Sequence, residues 1–431
     1  MSASLAEDGS AEAVAGAAVH GRGKWVLVVS LGAVFFVLYT LYAAVLGVLL
    51  PNQIQDIDPS RKASMLGMVF AVTSIFSTTV TPLSGSLSDR TRTRGGLRRT
   101  PWILTGGVVG GVTTILIPHG GDIVGVTILW VIATICLNSM QPAITTVVAD
   151  RFRASERGMV SGVVGACMTA GISAGTIFGG LMAARLSLAY GIIGAAILLV
   201  CVAFTLINPE PPIAREVPAA PRLTPAAFLR GFWISPREHP DFAWAFLGRF
   251  AIYMGYQAIL TYLLYILQDH IGLSQAQANA TIARMSSVTL VMLVISGLLS
   301  GWLSDRIGRL KPLVFVAGLL MAAAVMAPLI SPDLPGMFGY AVLIGLGYGA
   351  FMSIDLALMT HVLPKRGVGE DTTGRDLGIL TTAVNVPQII SPVMAAALLG
   401  ATHNNYPLLF VAAAGFVVAG SLFVLPIRSV R

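Results

Sequence analysis

Apolar residues run through this chain in long unbroken stretches, interrupted at regular intervals by short polar breaks. Twelve stretches stand out, at residues 25–50, 64–84, 102–118, 123–147, 159–183, 188–207, 242–267, 280–303, 312–330, 336–360, 377–400 and 406–426. Each is close to the roughly 20 residues that a helix needs to cross the hydrocarbon core of a bilayer. The stretches are continuous and do not alternate, so they predict helices rather than barrel strands. The tightest connection is Pro118-His119-Gly120-Gly121-Asp122, a short turn between spans three and four. The pattern predicts an all-α membrane protein of twelve transmembrane helices.

The polar breaks carry the orientation. With the N-terminus inside, the breaks on the cytoplasmic side hold 22 of the 27 Lys and Arg, and those on the external side hold Arg61, Lys62 and Arg185. Arg249 and Arg284 fall within spans. Such a bias places both termini in the cytoplasm, and removing one helix would invert everything downstream. The longest break, residues 208–241, holds eight of the 23 prolines. Proline at that density removes donors and fixes φ, which marks a linker. Within it, residues 223–234 have the pattern of a short amphipathic helix. The chain therefore reads as a disordered cytoplasmic tail at 1–24, a six-helix bundle at 25–207, a cytoplasmic linker at 208–241 and a second six-helix bundle at 242–431.

The two bundles repeat a motif. Ser84-Gly85-Ser86-Leu87-Ser88-Asp89-Arg90 follows span two, and Ser300-Gly301-Trp302-Leu303-Ser304-Asp305-Arg306 follows span eight. Six of the seven positions are identical across half the length of the protein. Arg157-Gly158 and Arg375-Asp376 stand at a matching distance at the starts of spans five and eleven. Duplication at two places predicts two pseudo-symmetric bundles, a common plan among transporters. Gly85 and Gly301 are expected to let neighbouring helices approach closely. A carboxylate at each motif end can pair with arginine or cap a helix.

Composition narrows the functions. Hydrophobic residues make up 55% of the chain and charged residues 11%, against about 25% charged in soluble domains. Mean hydropathy is +0.80. A soluble multidomain protein is excluded. The net charge of +7 does not indicate a nucleic-acid binder, because the basic residues sit in short clusters between spans rather than on one water-facing surface. Cys136, Cys167 and Cys201 lie inside apolar spans, so no disulfide framework is expected. The six histidines, at 20, 119, 239, 270, 361 and 403, have no paired ligand spacing, and no metal site is expected. A phosphate-binding loop is missing as well, so no nucleotide or other cofactor is expected. Residues 1–24 lack the pattern of a cleavable leader.

The duplicated Gly-x-Leu-Ser-Asp-Arg motif, expected to form a loop in both halves, resembles that of the major facilitator superfamily, over about residues 25–426. Its longer form, Asp89-Arg-Thr-Arg-Thr-Arg-Gly-Gly-Leu-Arg-Arg-Thr-Pro101-Trp102, resembles the sucrose-transporter-like and glycoside–pentoside–hexuronide branches. The segment from Asp376 through Asn385, Pro387 and Gln388 resembles the eleventh helix of the same branches. The resemblance implies two six-helix bundles and a sugar as solute. It also implies that helices one, four, seven and ten line a central cavity. Cation-coupled members of the melibiose-permease kind carry acids within helices two and four. Spans two and four here have none before Asp150, so a sodium site of that kind is not expected.

Candidate residues follow. Solute contacts are expected from Tyr39, Tyr42, Asn138, Gln141, Tyr253, Tyr256, Gln257, Asn385 and Gln388, since amides hydrogen-bond hydroxyls and aromatic faces cover the C–H side of a sugar. The competing reading is that such polar groups only join helices. An inner gate is expected from Asp89, Arg90, Asp305 and Arg306, with Arg157 and Arg375 as partners. Only Asp355 among the acids lies inside an apolar span. An intramembrane carboxylate costs roughly 2.5–3.5 kcal/mol and is a functional candidate by default. Arg249 in span seven lies at a matching depth, about 8–11 Å from the same face at about 1.5 Å per residue. The two are expected to pair. Burial and the guanidinium would act on the Asp355 carboxyl in opposite senses, which suits a group that exchanges a proton. A static pair that orders the bundle is the alternative.

The function expected is secondary active transport of a small polar solute by alternating access, coupled to protons and serving sugar uptake. Proton-driven efflux of drugs or metabolites is the alternative within that class. A receptor or membrane enzyme is the alternative of another class, and it lacks a soluble domain or a cluster of catalytic side chains to support it. The protein is expected to be no enzyme, a monomer in the lipid of the plasma membrane, with a small-molecule solute and no nucleic acid as partners.

Overall fold

The structure, a computed structural model, describes residues 21–91, 93, 97–211, 237–307, 309–362 and 373–427. Twelve long helical segments run through them. In the first half, α1 is Arg22–Ala44, continued by Val45–Leu49 and Leu50–Ile57. It is followed by α2 (Lys62–Arg90), α3 (Thr100–Leu116), α4 (Ile123–Arg151), α5 (Ala154–Met182) and α6 (Leu186–Ile207). The second half comprises α7 (Pro240–Tyr265), α8 (Gln275–Ile307), α9 (Lys311–Ile330), α10 (Leu334–Val362), α11 (Thr373–Ala401) and α12 (Tyr406–Leu422). Each corresponds to one predicted span. Among the described residues, nine apolar stretches are long enough to cross a membrane. One of them, Glu156–Ile207, holds both α5 and α6 across a tight turn at Ala183–Arg185, and two shorter apolar helices lie in α11 and α12. The amphipathic segment expected at 223–234 lies outside the described residues.

Local chemistry sets the boundaries. Proline opens α3, α7, α9 and α12 at the first turn, where its missing N–H has no intrahelical partner to lose. Asp122 Oδ1 accepts from Gly125 N at 2.7 Å and starts α4, and Asn405 Oδ1 accepts from Leu408 N at 3.2 Å and starts α12. Val45–Leu49 is a π-helical turn. Pro51 cannot donate to Gly47, so the ladder widens before it, and Asn52 Nδ2 donates to Val48 O at 2.8 Å instead. A second π turn, Ile266–His270, closes α7.

Two expectations change. The duplicated motif is helical rather than a loop. Ser84–Arg90 forms the last turns of α2 and Ser300–Arg306 those of α8, because neither motif holds a proline and a single glycine is tolerated within a helix. Nor do the motif glycines mark the closest approaches. A Cβ on Gly85 would meet Pro142 at 3.5 Å, and one on Gly301 would meet Ser353 Oγ at 3.3 Å. Tighter contacts lie elsewhere: a Cβ on Gly175 would meet Thr40 O and one on Gly255 would meet Ala413 O, holding α5 against α1 and α7 against α12, and at Gly111 a Cβ would come within 2.6 Å of Gly194 O, holding α3 against α6.

The helices gather into two compact units, Met1–Ile57 with Val72–Pro221, and Asp58–Ala71 with Arg222–Arg431. The first turns of α2 thus group with the second unit. Within unit 1, α1 packs on α5 and α6, and α3 on α4 and α6. Within unit 2, α7 packs on α11 and α12, and α9 on α10 and α12. The same pairings recur six helices apart, which is the element-level form of the duplicated motif. Unit 2 adds an extensive α8–α10 contact.

Candidate functional site

In unit 1, α1 and α4 present matched i, i+3 pairs, which place two side chains on one helix face. Gln141 Nε2 donates to Tyr39 Oη at 3.1 Å, and Tyr42 Oη donates to Asn138 Oδ1 at 3.3 Å. Asn138 Nδ2 continues to Ser77 Oγ on α2 at 3.0 Å. The rings of Tyr39 and Tyr42 meet edge-on at 6.2 Å. Four candidate residues chosen from sequence therefore form one polar cluster. Thr40 and Ser139 instead bond carbonyls of their own helices.

Unit 2 holds the charged counterpart. Arg249 Nε on α7 lies 3.2 Å from Asp355 Oδ2 on α10, with side chains 15% and 3% exposed. Matched depth on two helices of one bundle brings them together. Tyr253, one turn from Arg249, places its hydroxyl 3.3 Å from that of Tyr348 and 3.2 Å from Met352 Sδ. Tyr256 stacks on Tyr348, with centroids 4.7 Å apart and planes 10° from parallel. Gln257 turns to Thr261 on its own helix at 3.4 Å. Gln388 is exposed on α11, and the side chain of Asn385 lies outside the described residues. Tyr262 is fully buried and its hydroxyl lies between the carbonyls of Ala63 and Pro392, a helix-joining role. Arg284 is exposed on the surface of α8.

At the motif-bearing end, the side chains of Asp89, Arg90, Asp305 and Arg375 lie outside the described residues. Arg306 is exposed and its guanidinium lies over the Trp302 ring at 5.2 Å. Among the described residues, Arg157 engages no acid, and the side chains of its expected partners Asp89 and Asp305 are not among them. Arg157 donates to Ala149 O at 2.8 Å and Phe152 O at 3.1 Å, where α4 ends and backbone carbonyls lack helical partners. These acceptors lie five and eight residues before Arg157, across the turn between α4 and α5.

Two charged clusters escape sequence reasoning. In unit 1, Arg99 is 5% exposed; it donates from Nε to Asp150 at 3.1 Å and from Nη1 to Ser88 Oγ at 3.0 Å. The Glu210 carboxylate accepts from the backbone N–H of Arg99 and Thr100 at 2.9 Å, capping α3. In unit 2, Lys62 Nζ reaches Asp269 at 2.7 Å and Gln268 at 3.2 Å, and lies 4.9 Å over the Tyr265 ring. Tyr406 donates to the other Asp269 oxygen at 2.7 Å. The only signal in the sequence is an opposite charge at a span end, which does not say which ends meet. Among the described residues, no three His, Cys, Asp or Glu side chains gather as metal ligands.

Comparison with known proteins matches residues 31–372 to the Major Facilitator Superfamily. The chain is similar to the Fujikurins efflux protein of Gibberella fujikuroi, 26% identical over 51% of this chain and 43% of that protein. It is similar to the Di-/tripeptide transporter of Lactococcus lactis subsp. lactis, 29% identical over 40% of this chain and 34% of that one. It is also similar to the MFS transporter asaE of Aspergillus flavus, 25% identical over 62% of this chain and 58% of the relative. The chain thus spans less than two thirds of the length of these curated relatives. Among solved structures, a bacterial homolog to the human lysosomal transporter Spinster, inward-facing and unoccupied, aligns with a TM-score of 0.71. It is 16% identical and the alignment covers 95% of this chain and 96% of that one. Its inward-facing, occupied form aligns at 0.69 and 14% identity. The likeness in structure is one of fold.

Proposed function

Because this chain belongs to the major facilitator superfamily, we propose that it is a secondary active transporter that moves a small polar solute across the membrane by alternating access, coupled to protons at Arg249 and Asp355. The observation that carries this reading is the ion pair itself, at 3.2 Å and with Asp355 3% exposed. Burying two charges costs several kcal/mol per ion, and apolar residues of similar volume order a bundle as well or better. A pair kept at membrane depth is therefore a device for changing charge state. Tyr253, one turn from Arg249, and Tyr348, two turns from Asp355, place their hydroxyls 3.3 Å apart on the same two helices as the pair. The polar cluster of Tyr39, Tyr42, Asn138 and Gln141 supplies hydrogen bonds to solute.

The 22 cytoplasmic basic residues support both termini inside a plasma-membrane protein. The resemblance of the motif and of α11 to sugar-carrying branches supports a sugar as solute, taken up by symport. Efflux is the second reading, supported by the likeness to the Fujikurins efflux protein. The test is transport in proteoliposomes with a sugar panel, with and without an imposed pH gradient. Saturable sugar uptake that grows with the gradient supports symport. Dye export driven by protons, with no sugar uptake, replaces it with efflux. Movement of neither under any gradient refutes the transport reading.

A further inference from the structure

We propose that the partly exposed stripe of α7 around Arg249 is a subsite for an organic anion whose carboxylate is attached to a flat ring, and that this carboxylate competes with Asp355 for the guanidinium. The inference rests on the transport reading above but not on its sugar assignment, which it replaces with an aromatic carboxylate.

Three observations converge. First, the ion pair is close but poorly directed. Arg249 Nε lies 3.2 Å from Asp355 Oδ2, yet this buried nitrogen makes no hydrogen bond. Charge is compensated while the Nε–H keeps its directed bonding capacity, and a planar carboxylate fits a guanidinium fork edge-on. Second, the cation is the accessible partner, 15% exposed against 3% for Asp355. An arriving solute meets positive charge first, which favours an anion over a cation or a neutral polyol. Third, the stripe is aromatic on both sides of that charge. Phe246, Arg249, Phe250, Tyr256 and Gln257 share one helix face at i, i+3, i+4 spacing, and all are partly exposed. Phe246 and Phe250 stack with centroids 6.3 Å apart, and Tyr256 stacks on Tyr348 at 4.7 Å.

Seven residues separate Arg249 from Tyr256, about 10 Å along the helix at about 1.5 Å per residue. That is the length of a bicyclic ring bearing a short acid arm. With its carboxylate on Arg249, such a ring reaches the Tyr256–Tyr348 stack, where offset stacking is favourable.

The test is equilibrium binding of radiolabelled indole-3-acetate to the full chain in nanodiscs, with neutral indole-3-acetamide and cationic tryptamine as competitors. The three share a ring and differ in charge. The acetate is expected to bind at least tenfold tighter than the amide, and tryptamine is expected not to compete. Asp355→Asn is expected to tighten acetate binding severalfold by removing the competitor. Arg249→Lys is expected to weaken it tenfold or more, while the amide competes as before. Equal competition by the amide, stronger binding of tryptamine, no acetate binding, or weaker acetate binding in Asp355→Asn each overturns the subsite. If Asp355→Asn does not fold, the ranking of the three probes on the unaltered chain decides alone. Binding at equilibrium needs no gradient, so the two readings fail separately. A chain that accumulates solute on a pH gradient without charge preference loses the subsite only. A chain that prefers the acetate and moves no solute loses the transport reading.

Discussion

At the scale of residues, the proposed proton coupling rests on one buried pair. Arg249 and Asp355 are the two charges whose depth in the sequence placed them on a common level, and they lie 3.2 Å apart. Their static and proton-exchanging roles make different demands. If Asp355 carries the proton, Asp355→Asn abolishes accumulation driven by a pH gradient and spares solute exchange without one. Full accumulation by that variant in proteoliposomes refutes the coupling role. Arg249→Gln is a harsher change, because it leaves a carboxylate buried without its counter-charge, at a cost of about 3–5 kcal/mol. Low expression of Arg249→Gln is therefore expected, with recovery in the double variant Arg249→Gln/Asp355→Asn, read by size-exclusion yield. If the double variant expresses no better, the pair does not act as a unit.

At the scale of elements, helix ends decide what is held together. Glu210 sits just past α6 and accepts from the first backbone donors of α3 at 2.9 Å. A carboxylate there satisfies donors that the helix cannot, and meets the positive end of its dipole. Glu210→Ala should cost about 0.5–2 kcal/mol, the range for loss of an N-cap, and lower the thermal midpoint of the purified protein. An unchanged midpoint would show that the contact contributes nothing. Asp333 does the same for α10, accepting from Gly336 N at 2.9 Å and from Ser331 Oγ at 2.7 Å. The Gly336 N–H first, and the Ser331 hydroxyl second, hold its carboxyl below the usual range. A lowered value in the folded state means that the contribution is present above the unfolded value, 3.8, and is lost as pH falls through the folded one. Between pH 5 and pH 3 the thermal midpoint should therefore fall less in Asp333→Asn, which keeps the cap without the charge, than in the unaltered chain. Helices were legible in the sequence because a span is a local property: a run of apolar residues of a given length. The motif's helical state was misread because the polar residues of Ser84–Arg90 mark the exit from the apolar run and not the end of the helix. The Arg99–Asp150–Glu210 cluster was illegible for another reason. Its members come from three separate span ends, and which ends meet is set by tertiary packing.

The whole molecule repeats one plan, and that repetition shows in the sequence at two motifs and in the structure at four helix pairings. What the sequence left open is the solute, since a few side chains on a common scaffold set specificity. Orientation is a whole-chain property as well, because it rests on 22 basic residues against three, distributed over every connection. It predicts that the linker faces the cytoplasm and the α3–α4 turn faces outward. Cysteine labelling in cells checks both, once Cys136, Cys167 and Cys201 are replaced by serine. Gly120 is a poor site for the outer probe, since a Cβ there would come within 2.6 Å of Val126 N. His119 beside it is exposed, and His119→Cys should react with a membrane-impermeant maleimide on intact cells. Ser235→Cys should react only after the membrane is permeabilised. Labelling of both from outside breaks the twelve-span topology, because the two positions are separated by the three spans α4, α5 and α6, an odd number that puts them on opposite faces. Exchange of the two patterns, with Ser235→Cys reactive on intact cells and His119→Cys protected, keeps twelve spans and inverts the orientation.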